Sequence, residues 1–117
     1  MVRRFSSSFT LFFSLILMIN SSLFAYAETS HRTPSIKKQQ ALLHLLKQDC
    51  GSCHGMLLKG GLGPPLLMKN LEDKPIELII NTILYGRPGT AMPPWQGLLS
   101  TQDATWLAQQ LKTGVIE

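Results

Sequence analysis

The stretch DCGSCHG, residues 49–55, holds the only two cysteines of a 117-residue chain, Cys50 and Cys53, with His54 directly after the second. Residues three and four apart share one side of a helical turn, so on a helix two thiols and an imidazole point the same way. A tight disulfide, half of a zinc site, a redox dithiol and a covalent haem anchor all use such a cluster. The rest of the chain discriminates between them.

A structural zinc site takes four ligands and normally a second paired motif, and only His31 and His44 remain as nitrogen donors. A thioredoxin-type dithiol needs a strand–helix context, of which the sequence has no trace. A plain disulfide leaves His54 without a role. C-x-x-C-H is the attachment signature of c-type haem. Two thiols at this spacing reach the two vinyl groups of one porphyrin, and the next residue offers its imidazole to the iron. The reading that uses all three side chains is a single covalently bound haem c on Cys50 and Cys53, with His54 as one axial iron ligand.

The N-terminus agrees with a compartment where such attachment takes place. Arg3 and Arg4 precede a short apolar run, FTLFFSLILMI (residues 9–19), and AYA (residues 25–27) puts small residues at the positions a signal peptidase reads. The run is well short of the roughly 20 residues that span a hydrocarbon core. Residues 1–27 are therefore expected to be a cleaved signal peptide, the alternative being an uncleaved anchor extended by Leu23 and Phe24. Export to the periplasm follows, with no membrane attachment after cleavage. The formal charge of +4 drops to +2 once Arg3 and Arg4 are gone, which gives no reason to expect nucleic acid as a partner. About 90 residues then remain, a size at which one core is marginal without a staple or a bound group.

Residues 28–35 are polar, contain Pro34 and read as a flexible lead-in to a domain spanning 36–117. A first helix opens at Ser35 as N-cap, with Leu42, Leu46 and Cys50 at four-residue spacing and Leu43 and Leu45 widening the stripe; Gly51 and Gly55 end or loosen it. Residues 59–75 are a loop by composition. A second helix follows Pro75, read as a first helical position, with Ile76, Ile79, Ile80, Ile83 and Leu84 on one face and Gly86 as its stop. A proline-rich loop, RPGTAMPPWQGL (residues 87–98), leads to a third helix announced by Ser100 and Asp103 in capping-box spacing, striped by Trp106, Leu107 and Leu111 and closed by Gly114. The class is all-α. Three short helices and two long loops enclose little by themselves, so a non-peptide group is expected at the centre.

Iron held by His54 on one side leaves a second axial position. An open one allows ligand binding or catalysis, whereas a thioether favours electron transfer and raises the potential. Met56 is too close to His54 to reach the opposite face, and Met68 lies in the first loop. Met92, between Ala91 and Pro93 and far along the chain, is the expected axial ligand. His44, on a leucine-rich helix, and His31, in the lead-in, have no identifiable partner.

With DCGSCHG, GGLGPPL, ILYGRPGTAMPPW and WLAQQL in this order, the chain resembles class I cytochromes c over nearly all of its mature length. It is most similar to the small periplasmic monohaem cytochromes encoded with cytochrome cd1 nitrite reductases in denitrifying bacteria. The resemblance implies the cytochrome c fold, three main helices around one haem, in which the first and last helices cross beneath an aromatic side chain, here Trp106. Class I chains often carry glycine eight residues before the first cysteine; Leu42 stands there, which implies a less close crossing. A carbonyl of Pro64 or Pro65 is implied as the partner of the His54 ring. Of the scattered cations Lys59, Lys69, Lys74 and Arg87, only Arg87 is singled out, for a haem propionate. The implied function is not enzymatic: a monomeric one-electron carrier that donates to cytochrome cd1 nitrite reductase and is reduced by quinol-oxidising complexes. Electron supply to maturation of the d1 haem is a variant of it. The reading from another class is a ligand-binding or catalytic haem protein with a labile sixth ligand.

Overall fold

Ser35 begins the first helix in the way its side chain predicts. A computed structural model describes residues 33–114 of the chain; the expected signal peptide, most of the lead-in and the last three residues lie outside these. The Ser35 hydroxyl accepts from the Lys38 N–H at 3.4 Å, satisfying one of the orphan donors of the first turn. Helix α1 runs Ile36–Leu45 and buries Leu42. It continues through one wider turn with π-type bonding, Leu46–Cys50, into the single turn of α2, Gly51–His54. Gly55, at φ 85°, ends it. The loosening expected near the cysteines is thus a π turn, a distortion that often accompanies functional positions.

Within the stretch read as loop by composition, Met68–Leu71 forms a further turn, α3, and buries Leu71. Four residues are too few to display a period, so sequence patterning gives no sign of it. Its C-terminal carbonyls are met from far along the chain: Lys112 Nζ donates to the carbonyls of Leu71, Glu72 and Lys74 at 3.2, 3.0 and 2.6 Å. A cation at the carbonyl end of a helical turn satisfies acceptors and opposes the local dipole together.

Helix α4 spans Ile76–Tyr85, with Pro75 just outside as the capping residue rather than as the first helical one. Ile79 and Leu84 are buried and Ile76, Ile80 and Ile83 partly so, as the apolar stripe requires. Helix α5, Thr101–Thr113, carries the complete capping box: Ser100 N–H donates to Asp103 Oδ2 at 3.0 Å, and Asp103 N–H donates to Ser100 Oγ at 3.1 Å. Gly114 closes it in the left-handed conformation. Among the described residues the structure is helical, with no strand.

Helix α5 packs against α4, α3 and α1. Ala104 and Ala108 on it are completely buried, so its backbone lies close under its neighbours. Trp106 and Leu42 are buried in one apolar cluster with Leu46, Leu107 and Leu111. The first and last helices are also pinned at their starts, where Lys38 Nζ stands 3.3 Å from Asp103 Oδ2. Burial raises the Asp103 carboxyl, but the Ser100 N–H, the Ser100 hydroxyl and Lys38 together outweigh it and hold the group below the ordinary carboxylate range. A lowered folded-state pKa adds stability that is present above the unfolded-state value and is lost as pH falls through the folded-state one. Asp103→Ala is therefore expected to cost about 1 kcal/mol near neutral pH. The difference from the unsubstituted chain should vanish in acid, as denaturant unfolding on the two sides of the carboxylate range will test.

Candidate haem-binding site

The Cys/His motif is closed off by a loop of glycines. The carbonyls of Cys53 and His54, orphaned where α2 ends, accept from Gly63 N–H at 2.8 Å and Gly60 N–H at 2.7 Å. The loop lies so close that side chains are excluded. A Cβ on Gly61 would stand 2.8 Å from the Cys53 carbonyl oxygen, and one on Gly63 would stand 2.6 Å from Cε1 and 2.7 Å from Nδ1 of His54. Gly63 is not in the left-handed region, so contact with the imidazole, and not backbone conformation, requires glycine there. Leu58, buried in the core despite a φ of 54°, anchors the loop, and Leu66 N–H returns to its carbonyl at 2.9 Å.

One residue after Gly63, the carbonyl of Pro64 lies 2.7 Å from His54 Nδ1. A carbonyl only accepts, so in the neutral ring Nδ1 carries the proton and Nε2 keeps its lone pair. His54 itself is 8% exposed. Of the two prolines considered from sequence, Pro64 supplies the bond, while Pro65 packs beside Gly60 and lines the neighbouring cavity. An outer partner of this kind fixes a ligating imidazole's tautomer and orientation.

That cavity, about 380 Å³, is bounded by Leu46 and Cys50 from the first helical segment, His54, Leu71, residues of α4 including Ile79 and Ile83, Leu107 and Leu111 of α5, and Met92. A strapped loop supplies part of its lining. Gly86, at φ 67°, lies against the Met92 backbone, where a Cβ would come within 2.6 Å of the Met92 carbonyl oxygen. Arg87 N–H donates to that carbonyl at 3.2 Å. Further on, Trp95 N–H donates to the carbonyls of Ile83 and Leu84 and Gln96 N–H to that of Leu84, which ties the loop to the last turn of α4.

Cys50 is half-buried in the cavity wall and Cys53 is exposed. Burial, reinforced by the neighbouring Asp49 charge, pushes the Cys50 thiol up to about 11. Met68 is not among the residues that line the cavity, and Met56 is exposed. His44 is exposed, and His31 lies outside the described residues. Arg87 and Lys74 are exposed yet line the cavity, which places two cations at its mouth, while Lys59 and Lys69 are not among the lining residues. Sequence reasoning passed over Asn70, Thr82, Trp95 and Leu99, which also line it. The W of MPPW was a visible signal, whereas Asn70 and Thr82 carry none. An imidazole nitrogen, a thioether and a thiol around an apolar cavity make a donor set suited to an iron porphyrin. The glycine cradle that holds the imidazole fits the same group.

Residues 38–110 match the family described as cytochrome C oxidase, cbb3-type, subunit III. The chain is 55% identical over 83 residues to cytochrome c55X of Pseudomonas aeruginosa, covering 71% of this chain and 70% of that protein. A solved structure titled c-type cytochrome NirC is similar with a TM-score of 0.70 and 55% identity, over 71% of this chain and 98% of that one. A more distant similarity, 37% over 67 residues, covers 57% of this chain and 14% of the dihydro-heme d1 dehydrogenase of Pseudomonas aeruginosa.

Gly63→Ala tests the cradle directly. Forcing a methyl group against the His54 ring should cost about 1–3 kcal/mol, the usual range for overpacking, and lower the haem-to-protein ratio of the purified protein. An unchanged unfolding midpoint with full haem content would contradict the close approach.

Proposed function

We propose that this chain, which belongs to the c-type cytochromes of the cbb3-type subunit III family and carries one covalently bound haem c, is a periplasmic, monomeric one-electron carrier. The observation that carries this reading is that His54 and Met92, from segments far apart in sequence, line one apolar cavity whose wall contains Cys50. Cys50 and Cys53 hold the group through their sulfurs. His54 Nε2 and Met92 Sδ would be the two protein donors to its iron. The Pro64 carbonyl, by accepting from Nδ1, raises the basicity of the ligating ring. Arg87 stands at the mouth to meet a carboxylate of the group.

When bound, the haem supplies a single iron that exchanges one electron at a time. The remaining work belongs to the chain. With an imidazole and a thioether both committed, no position is left for a substrate, which separates a carrier from a ligand-binding haem protein. The apolar side chains of α4 and α5 would keep water from the centre, and two loops tied down by backbone hydrogen bonds would hold the donor residues in place. Among the described residues no helix is long and apolar enough to cross a membrane.

The partner is proposed to be cytochrome cd1 nitrite reductase in denitrification, with electrons received from quinol-oxidising complexes. The resemblance to cytochromes encoded with that enzyme supports it. The similarity to part of a dihydro-heme d1 dehydrogenase favours a second reading, service in d1 haem maturation. A dehydrogenase releases two electrons and two protons from its substrate, so a one-electron carrier would act there as acceptor, the reverse of the electron supply expected from sequence, and make two visits per turnover. Stopped-flow mixing distinguishes the two. Oxidation of the reduced protein by the nitrite reductase with nitrite supports the first, reduction of the ferric protein by the dehydrogenase with dihydro-haem d1 supports the second, and failure of both removes this partner assignment.

Met92→Ala should lower the reduction potential, abolish the weak sulfur-to-iron charge-transfer band of the ferric protein and let carbon monoxide bind the ferrous form. An unchanged potential would refute Met92 as ligand. Cys50→Ala should leave a single thioether, visible as a red shift of the pyridine haemochrome.

A further inference from the structure

We propose that Thr90 is the positioning residue for the sixth ligand, its hydroxyl acting as the latch that holds Met92 against the cavity. The inference rests on Met92 being an axial ligand and adds what keeps it there. Thr90 lies in the loop between Gly86 and Trp95. Its N–H and its hydroxyl both reach the Arg87 carbonyl, at 3.0 and 2.8 Å, and its Oγ1 accepts from Met92 N–H at 3.3 Å. The Met92 carbonyl is held by Arg87 N–H at 3.2 Å. Both main-chain polar groups of the methionine are therefore committed within one small ring of bonds, and the Thr90 hydroxyl is the side-chain member of it. Neighbouring prolines stiffen the chain after Met92 by fixing their own φ, but Pro93 and Pro94 offer no N–H with which to tie it down. The ties beyond them, at Trp95 and Gln96, act on the far side of that pair.

A thioether is a neutral ligand on a flexible, unbranched side chain, so its retention depends on how far the backbone behind it can move. Gly86 allows the Met92 backbone to sit close, without pulling it in. The hydroxyl does the pulling: it bridges a carbonyl on the incoming side of the loop to the amide of the ligand residue itself. Thr90 is exposed, so its replacement is not expected to disturb the buried core.

Thr90→Val keeps the β-branched shape and removes the hydroxyl; Thr90→Ser keeps the hydroxyl. Both are to be compared with the unsubstituted holoprotein. The valine variant is expected to take up carbon monoxide in the ferrous state roughly tenfold faster, the equivalent of one hydrogen bond. It should also lose the ferric charge-transfer band at lower temperature than the fold unmelts by far-ultraviolet circular dichroism. Serine should restore both properties. Equal uptake rates and equal band-loss temperatures in valine and threonine proteins would overturn the latch. A parent protein that lacks the charge-transfer band altogether would instead overturn the ligand assignment on which the latch stands.

Discussion

The approach of a loop backbone to one imidazole ring is the constraint on which the rest depends. The His54 ring has a defined direction only if something fixes both its rotation and its proton, and the segment of residues 61–64 does both. Gly61 and Gly63 let the main chain lie where no side chain fits, and the Pro64 carbonyl, carried into place by that contact, accepts the hydrogen bond from Nδ1–H. The bonds from Gly60 and Gly63 to the carbonyls of His54 and Cys53 make the end of α2 and the loop a single unit. The orientation of the imidazole is thereby set by a close backbone contact and one hydrogen bond from nearby in the chain.

The loop that carries Met92 uses the same device with different parts. There too a glycine, Gly86, gives up its side chain so that the backbone of Met92 can lie close against it, and there too a carbonyl and an amide are paired across the contact. The helices supply the frame. Helix α5 presents Leu107 and Leu111 to the cavity while burying Ala104, Ala108 and Trp106 among its neighbours, and α4 ends where the Met92 loop begins, lending its last free carbonyls as attachment points. Loops that composition alone marks as irregular are in this way the most closely determined parts of the site.

Elements with a strong local signal were legible from the chain. The capping box of Ser100 and Asp103, the start at Ser35, the isoleucine stripe of α4 and the glycine stops are all written in a few adjacent residues, and each occurs where its chemistry places it. The cluster of Cys50, Cys53 and His54 announces its chemistry by spacing. Features made by distant residues were not legible. The turn Met68–Leu71 owes its closed end to Lys112, and the choice of Pro64 over Pro65 depends on how the glycines bend the loop. Asn70 and Thr82 reach the cavity wall only because the tertiary structure brings them there. The π turn before Cys50 is equally silent in composition.

Lys112 has a consequence for the order in which the molecule can be assembled. The attachment motif is synthesised early, whereas the ammonium that fastens the segment around Leu71 belongs to the last helix, as do Leu107 and Leu111 in the cavity wall. A growing polypeptide therefore displays its two thiols and imidazole before it owns the residues able to shut the compartment around them. Closure of that compartment waits for the C-terminal helix to arrive.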